Sequence, residues 1–192
     1  MEIEITFEVL GALAAYASVP IWYRVVEVLD TQLPSEGGSL LPYRSRRLDV
    51  PFVKDYDALP GNHPLDWAAR FDVLGWGVFA ACTDGQRVGG VVVIPPTADV
   101  EMLDDRDDLA LLWDIRVTPG VRNRGIGTAL LDAATSWARA RGARVLKVET
   151  QNTNVPACWF YARNGFTLRT IDADAYPELA GEVQLLWYKE LA

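Results

Sequence analysis

The stretch VTPGVRNRGIGTALL, residues 117–131, decides how this chain folds. An apolar run ends there, and Gly125 and Gly127 open an alanine-rich segment with the periodicity of a helix. Glycines let the main chain approach a ligand closely, and the first amides of a helix have no partner within the helix. Such a turn attracts an anion. The stretch therefore predicts a strand, an anion-binding turn and a helix, in that order.

The segments on either side of the turn complete a βαβ unit. LALLWDIRVT (109–118) precedes the turn as an apolar strand, and ARVLKVETQ (143–151) follows the helix as a second strand. Apolar residues recur at helical spacing through 127–142, and Gly142 stands where a glycine commonly caps a helix. Because a helical crossover joins the two strands, we expect them to run parallel.

An antiparallel hairpin precedes this unit. Asp84-Gly85 joins the apolar runs 76–83 and 87–94, and this dipeptide favours a two-residue hairpin turn. The chain is therefore predicted to have a mixed α/β (α+β) fold. Periodicity and turn residues predict further strands at 2–8, 43–53, 166–176 and 182–191, helices at 20–30, 64–71 and 155–165, and an exposed connection at 31–42.

The composition restricts the class of protein. The length of 192 residues, half of them hydrophobic, fits a single domain. No apolar run approaches about 20 residues and the amino terminus lacks a basic signal segment, so we expect a soluble cytoplasmic protein without a membrane partner.

Two cysteines and one histidine cannot build a disulfide framework or a zinc site, so we expect no metal. A formal charge of −8 argues against a nucleic-acid partner and suits a cationic ligand.

Two well-known glycine-rich motifs do not fit the turn. The dinucleotide fingerprint G-x-G-x-x-G requires a glycine where this chain has Leu130, and the nucleoside-triphosphate loop requires a lysine that the turn lacks. The pattern that remains is Arg122-x-x-Gly125-x-Gly127 at the start of a helix. It suits a pyrophosphate group, to which Arg122 and Arg124 would add charge-assisted contacts.

This pattern resembles the acyl-CoA-binding motif of the GNAT superfamily of N-acetyltransferases. The superfamily pattern continues with an asparagine, an alanine three residues later and F-Y-x-x-x-G-F, and this chain has Asn154, Ala157 and FYARNGF at 160–166. A closer resemblance is to the streptothricin acetyltransferase branch. The segments that carry it are ETQNTNVPACWFYARNGFTLRTIDADAY (149–176), LLWYKEL (185–191) and PFVKDYD (51–57).

The resemblance implies a GNAT-like fold with a mixed, mostly antiparallel central sheet, a central splayed pair of parallel strands and flanking helices. One domain would span 1–192, with a variable acceptor-side part at 1–75 and an acetyl-CoA-binding core at 76–192. Acetyl-CoA would be the co-substrate. The residues that the resemblance implies in binding it are Ile115, Arg116, Val117, Arg122, Asn123, Arg124, Gly125, Ile126, Gly127, Thr128, Asn154, Ala157, Phe160 and Tyr161.

Specific roles follow for some of these residues by resemblance. Backbone amides from Arg124 to Thr128 would hold the pyrophosphate, and Val117 would hydrogen-bond the acetyl or pantetheine group. Asn154 would contact the pantetheine arm. Tyr161 would be the general acid, because a phenol can donate a proton to a departing thiolate.

The general base stays open. Acetyl transfer requires a neutral amine, so a proton acceptor or a desolvating pocket is needed. Many superfamily members place a glutamate near the start of the strand before the turn, where this chain has Leu111 and Leu112. Asp114 and Glu149, each embedded in apolar sequence, are the alternatives, and either could instead bind the substrate ammonium or be structural. We favour Glu149 because it begins the ETQ segment.

These features predict an acetyl-CoA-dependent N-acetyltransferase that acts on a primary amine of a small cationic molecule, such as a streptothricin-like antibiotic. The acidic segment 99–108 is either a solvated loop or a negative collar for such a substrate. Acetylation of a protein lysine or α-amine, and non-catalytic acyl-CoA binding, are the alternatives. The apolar strand VQLLWYKEL (183–191) either pairs with a second subunit in a homodimer or lies inside the sheet.

Overall fold

The computed structural model describes residues 2–8, 10–31, 44–179 and 181–191. The predicted connection at 31–42 lies, apart from Thr31, outside these residues. The strands are β1 (Glu4–Glu8), β2 (Tyr23–Leu29), β3 (Ser45–Lys54), β4 (Gly77–Thr83), β5 (Gln86–Ile94), β6 (Leu109–Val117), β7 (Val145–Gln151), β8 (Thr167–Asp172) and β9 (Gln184–Glu190). The α-helices are α1 (Leu13–Ala17), α2 (Pro64–Arg70), α3 (Ile126–Arg139) and α4 (Val155–Arg163). Within the described ranges, no helix is both long and apolar enough to cross a membrane.

The chain forms two compact units. The first consists of the chain up to Tyr23, of Asp55–Leu146 and of Leu191. The second consists of Arg24–Lys54 and Lys147–Glu190.

The first unit contains an antiparallel sheet with the strand order β1-β4-β5-β6. Helix α3 packs against β4, β5 and β6. The start of β7 lies beside β6, because the amides of Arg144 and Val145 both donate to the carbonyl of Asp108, at 2.8 and 3.1 Å. Strands β6 and β7 run parallel, and the predicted mixed, mostly antiparallel fold with flanking helices is confirmed.

Two turns predicted from glycines are confirmed by backbone angles. Asp84 and Gly85, between β4 and β5, have φ of 51° and 73°. Gly142, just beyond α3, has φ of 88°. Its amide donates to the carbonyl of Arg139 at 3.0 Å, which returns the chain to the last turn of the helix.

A β-bulge interrupts β6 at Trp113. The register between β5 and β6 shifts between Val92 and Val93, and Trp113 is the residue left over. Its ring packs against Phe71 and Trp76, with ring centroids 5.2 and 5.4 Å apart. The extra residue changes which face of the sheet the following side chains occupy.

In the second unit, β2 and β3 form a two-stranded sheet, β9 lies between β7 and β8, and α4 packs on β8. Leu185 and Trp187 of β9 are fully buried. The indole Nε1 of Trp187 donates to Thr150 Oγ1 of β7 at 3.0 Å. The apolar strand at 183–191 is therefore an internal strand of this unit.

The helix predicted at 20–30 is wrong, because this segment forms β2 after the short helix α1. Tyr23, Val25 and Leu29 are buried, whereas Arg24 and Val26 are exposed, so most of the segment alternates with the period of a strand. The mixed apolar spacing could not separate the two structures by itself. Pairing with β3, the next strand along the chain, satisfies the backbone of this segment, and its β-branched Val25 and Val26 suit a strand.

The other predicted elements are confirmed within a few residues. They are the strands at 2–8, 43–53, 166–176 and 182–191 and the helices at 64–71 and 155–165. The acidic segment 99–108 is a connection with one 3₁₀ turn, Glu101–Leu103. Half of its residues are exposed, and Arg106 forms a salt bridge with Asp108 at 2.8 Å.

Candidate active site

The glycine turn between β6 and α3 presents its backbone to solvent. Asn123 and Gly125 adopt left-handed φ angles of 61° and 85° on either side of the exposed Arg124. Among the described residues no side chain caps α3, whereas side chains of His63 and Asn154 cap α2 and α4. The first amides of α3 are thus not bound by a cap, and the positive end of the helix dipole points to the same place.

Arg122 binds to the protein at the edge of this turn. Its Nε donates to the carbonyl of Val117 at 2.8 Å and its Nη2 to the carbonyl of Trp22 at 3.0 Å. Burial lowers the pKa of Arg122. The side chain therefore ties the turn to the end of β6, and Arg124 is the more exposed of the two arginines that the sequence places there.

Arg116 lies at the centre of a buried ion cluster, and its side chain is fully buried. Nε and Nη2 donate to the two oxygens of Asp114, at 2.9 and 2.8 Å. Nη1 and Nη2 donate to the two oxygens of Asp57, at 2.9 and 3.1 Å, and Nη1 also donates to the carbonyl of Val19 at 3.2 Å. All five N–H groups of the guanidinium therefore have acceptors. Because the whole guanidinium is bonded within the protein, only the backbone N–H or carbonyl of Arg116 could contact a co-substrate.

The carboxylate of Asp114 accepts three hydrogen bonds, two of them from the Arg116 cation. Its Oδ1 accepts from Arg116 and from the hydroxyl of Tyr16, and its Oδ2 accepts from Arg116. Burial by itself lowers the pKa of the Arg116 guanidinium. The negative charge of Asp114 outweighs the effect of burial, so the pKa of Arg116 is raised. Burial and the same carboxylate raise the pKa of Tyr16. The cluster joins β6 to α1 and to the 3₁₀ turn at Tyr56–Ala58, so Asp114 belongs to a network that connects three parts of the first unit.

Glu149, on β7, is held in a different way. Its Oε1 accepts from the hydroxyl of Tyr176 and from Gln151 Nε2, the latter at 3.2 Å. Its Oε2 accepts from Gln184 Nε2 at 2.8 Å. All three donors are neutral, and within the described part of the chain Glu149 forms no ion pair. Among the described residues of the second unit, the half-buried carboxylate of Glu149 therefore has neutral hydrogen-bond donors and no counter-ion.

Helix α4 carries the remaining predicted residues. Asn154 is its N-cap, and its Oδ1 accepts from the amide of Ala157 at 3.3 Å. Tyr161 is 3% exposed, and its ring lies edge-on to Phe160 and Phe166, each with a centroid separation of 5.2 Å. Aromatic packing thus fixes the ring of the predicted general acid.

Sequence reasoning missed the partners of both carboxylates. Asp57, Gln151 and Tyr176 lie inside the segments that resemble the streptothricin branch, but nothing in them indicated a role. Tyr16 precedes Asp114 by 98 residues, and no local pattern connects the two. The contacts of these side chains depend on the tertiary structure.

Comparisons with known proteins identify the family of the chain. Residues 44–166 match the acetyltransferase (GNAT) family. The streptothricin acetyltransferase of Streptomyces lavendulae is 40% identical over 164 residues, 85% of this chain and 81% of the relative. The streptothricin acetyltransferase of Escherichia coli is 32% identical over 167 residues, 85% of this chain and 83% of the relative.

Solved structures share the fold over the whole of both chains. A nourseothricin acetyltransferase aligns with a TM-score of 0.74 and 27% identity. A Bacillus anthracis str. Ames protein in complex with acetyl coenzyme A aligns with a TM-score of 0.75 and 23% identity. The chain therefore belongs to the GNAT acetyltransferase family, and it is an N-acetyltransferase related to the streptothricin acetyltransferases.

Proposed function

We propose that this protein transfers the acetyl group of acetyl-CoA to a primary amine of a small cationic molecule of the streptothricin type. Two relatives that match 85% of the chain carry the name streptothricin acetyltransferase. The observation that carries the proposal is the Glu149 carboxylate, whose hydrogen-bond donors among the described residues are all neutral. A half-buried negative charge of this kind favours a cation as its partner.

The glycine turn supports the co-substrate half of the proposal. An uncapped helix start and two left-handed residues suit a pyrophosphate, which the amides of residues 124–128 would bind. Arg124 would add a charged contact. Val117 and Asn154 would hold the acetyl end and the pantetheine arm, in agreement with the family pattern. Acetyl-CoA supplies the reaction with an activated acyl group, its thioester.

The residues of the chain would then move protons. Glu149 binds the ammonium of the acceptor and takes one proton from it, which leaves a neutral amine as the nucleophile. The amine nitrogen forms a bond to the thioester carbon as the carbon–sulfur bond breaks, and the nitrogen loses a second proton to water as the neutral amide forms. Tyr161 donates its proton to the departing thiolate and regains a proton from water. We assign no proton transfer to Asp114, because it forms a buried ion pair with Arg116 through both of its oxygens.

A turnover screen tests the proposal. The protein is incubated with acetyl-CoA and, in turn, streptothricin, an aminoglycoside, a polyamine and a basic peptide, and free CoA thiol is measured. We expect streptothricin to give the highest kcat/KM. Turnover with the peptide alone would favour protein acetylation, and thermal stabilisation by CoA without turnover on any amine would favour a binding module.

A matched pair of glycine variants tests the turn. Gly125 and Gly142, at opposite ends of α3, have φ of 85° and 88°, so alanine at either costs about 1–2 kcal/mol of backbone strain. We expect Gly125→Ala to raise the KM for acetyl-CoA by tenfold or more and Gly142→Ala to leave it unchanged. Equal KM values in the two variants would remove the turn from the binding site.

A further inference from the structure

Tyr176, Gln151 and Glu149 form a closed triangle of hydrogen bonds in the second unit. Gln151 Nε2 donates to Glu149 Oε1 at 3.2 Å and to the Tyr176 hydroxyl at 2.8 Å. The Tyr176 hydroxyl in turn donates to Glu149 Oε1. Each member of the triangle therefore contacts the other two.

The three donors are unevenly divided between the two oxygens of the Glu149 carboxylate. An ionised carboxylate offers about four acceptor sites, two on each oxygen. Tyr176 and Gln151 fill the two sites on Oε1, and Gln184 fills one on Oε2. Among the described residues, the fourth site has no donor, and it lies on Oε2.

Hydrogen bonds fasten the segment that carries Tyr176 to the rest of the second unit. Tyr176 lies in the connection between β8 and β9, where its carbonyl accepts from the amide of Leu179 at 3.0 Å. Farther along this connection, Asn152 Nδ2 donates to the carbonyl of Gly181 at 3.3 Å, and Asn152 Oδ1 accepts from the amide of Val183 at 3.0 Å. The connection is thus fastened to the end of β7, the strand that carries Glu149.

We propose that Tyr176 is a positioning residue, whose hydroxyl fixes Glu149 so that the remaining site on Oε2 receives the ammonium group of the acceptor. This inference rests on the proposed function, in which Glu149 binds that ammonium. Burial and the charge of Glu149 raise the pKa of Tyr176, so its hydroxyl remains a donor throughout the neutral range. Tyr176 never contacts the reacting atoms in this arrangement and acts only through Glu149.

The test compares Tyr176→Phe with Tyr188→Phe. Both changes remove one hydroxyl from a half-buried tyrosine of the second unit, but the Tyr188 ring makes cation–π contacts with Lys147 and Arg169 that phenylalanine retains. Because a hydrogen bond to a charged acceptor is lost, we expect Tyr176→Phe to lower kcat/KM for streptothricin about tenfold. The loss should come from KM for streptothricin, with KM for acetyl-CoA unchanged, and Tyr188→Phe should match the wild type.

A double-mutant cycle separates positioning from a general structural role. In a Glu149→Gln background the carboxylate is gone, so Tyr176→Phe should cause less than a twofold further loss. A structural defect would instead lower kcat/KM equally in both backgrounds. Equal losses in the two backgrounds would overturn the inference.

Crystal structures decide the inference without any turnover. In the Tyr176→Phe crystal we expect the Glu149 carboxylate to leave the place that it holds in wild-type crystals, and in Tyr188→Phe to keep it. An unmoved carboxylate in Tyr176→Phe overturns the positioning role. Failure of the proposed function would give a different result. Wild-type protein would then acetylate no amine, while the crystal structures would still show whether Tyr176 positions Glu149.

Discussion

Asp114 and Glu149 are both strand carboxylates that accept a hydrogen bond from a tyrosine, yet the two clusters differ in their charge. In the first unit, Arg116 occupies both oxygens of Asp114 and closes the cluster. In the second unit, Glu149 has only neutral donors and forms no ion pair with the described residues. A tyrosine partner is therefore common to both carboxylates, and the buried guanidinium of Arg116 is what distinguishes the first from the second.

The difference has a physical basis. A buried ion pair is strongly destabilised when one partner is lost, because an uncompensated charge is left behind. A carboxylate held by neutral donors keeps its charge available to a ligand. Replacing it by a neutral side chain leaves no buried cation unpaired, so the protein is destabilised less than by the loss of one partner of an ion pair. We therefore expect changes in the first cluster to affect folding and changes in the second to affect turnover.

Arg116→Met should have the largest effect of all. It leaves Asp114 and Asp57 without their cation, and we expect the free energy of unfolding to fall by about 3–5 kcal/mol. Arg24→Met replaces an exposed arginine, also on a strand, and should stay within about 0.5 kcal/mol of the wild type. Urea denaturation measures both, and a loss below about 1 kcal/mol in Arg116→Met would mean that the cluster is not a buried ion network.

Glu149→Gln and Asp114→Asn form the sharpest test of the comparison. If Glu149 accepts the acceptor's proton, its amide variant should lose about 10²-fold or more in kcat/KM while unfolding normally. Asp114→Asn should lose stability, yet keep most of the activity of the folded fraction. The measurements are kcat/KM over a range of pH and urea denaturation. An unchanged pH–rate profile in Glu149→Gln would remove its role as base, and a 10²-fold loss in folded Asp114→Asn would reverse the assignment.

Tyr16→Phe should have a smaller effect, on stability alone. The fully buried hydroxyl of Tyr16 donates to a carboxylate, and a hydrogen bond to a charged group contributes about 1.5–3 kcal/mol. Tyr176→Phe removes a hydroxyl from a half-buried ring and should cost less than about 1 kcal/mol. Thermal and urea unfolding of the two variants give the comparison, and equal losses would contradict it.

Alkaline pH should give the smallest effect. The folded state holds the proton of Tyr16 more tightly than the unfolded chain does, since burial and Asp114 raise its pKa. Its contribution is complete below about pH 10, the pKa of an unfolded tyrosine, and is lost as the pH rises above that value. Between pH 10 and 11, wild-type protein should lose about 1 kcal/mol more than Tyr16→Phe. Parallel stability curves for the two proteins would show that Tyr16 is not coupled to Asp114.

Much of the architecture could be read from local patterns. The Asp84-Gly85 hairpin, the βαβ unit and the glycine at the end of α3 depend on backbone angles and periodicities that neighbouring residues impose. The segment at 20–30 could not be read in this way. Its apolar residues fit either structure, and pairing with β3 decided for a strand.

The candidate site likewise has one part that local sequence predicts and another part that it does not. The turn at 122–128, the N-cap Asn154 and the aromatic setting of Tyr161 follow from residues within a few positions of one another, since left-handed glycines and helix caps are local devices. The distinction between the two carboxylates does not. The bulge at Trp113, the reach of Tyr16 across 98 residues and the approach of Tyr176 and Gln184 to Glu149 all join distant parts of the chain. Whether a charge is neutralised or left open to a ligand depends on such contacts, because electrostatic environment is a property of the folded molecule and not of any short stretch of it.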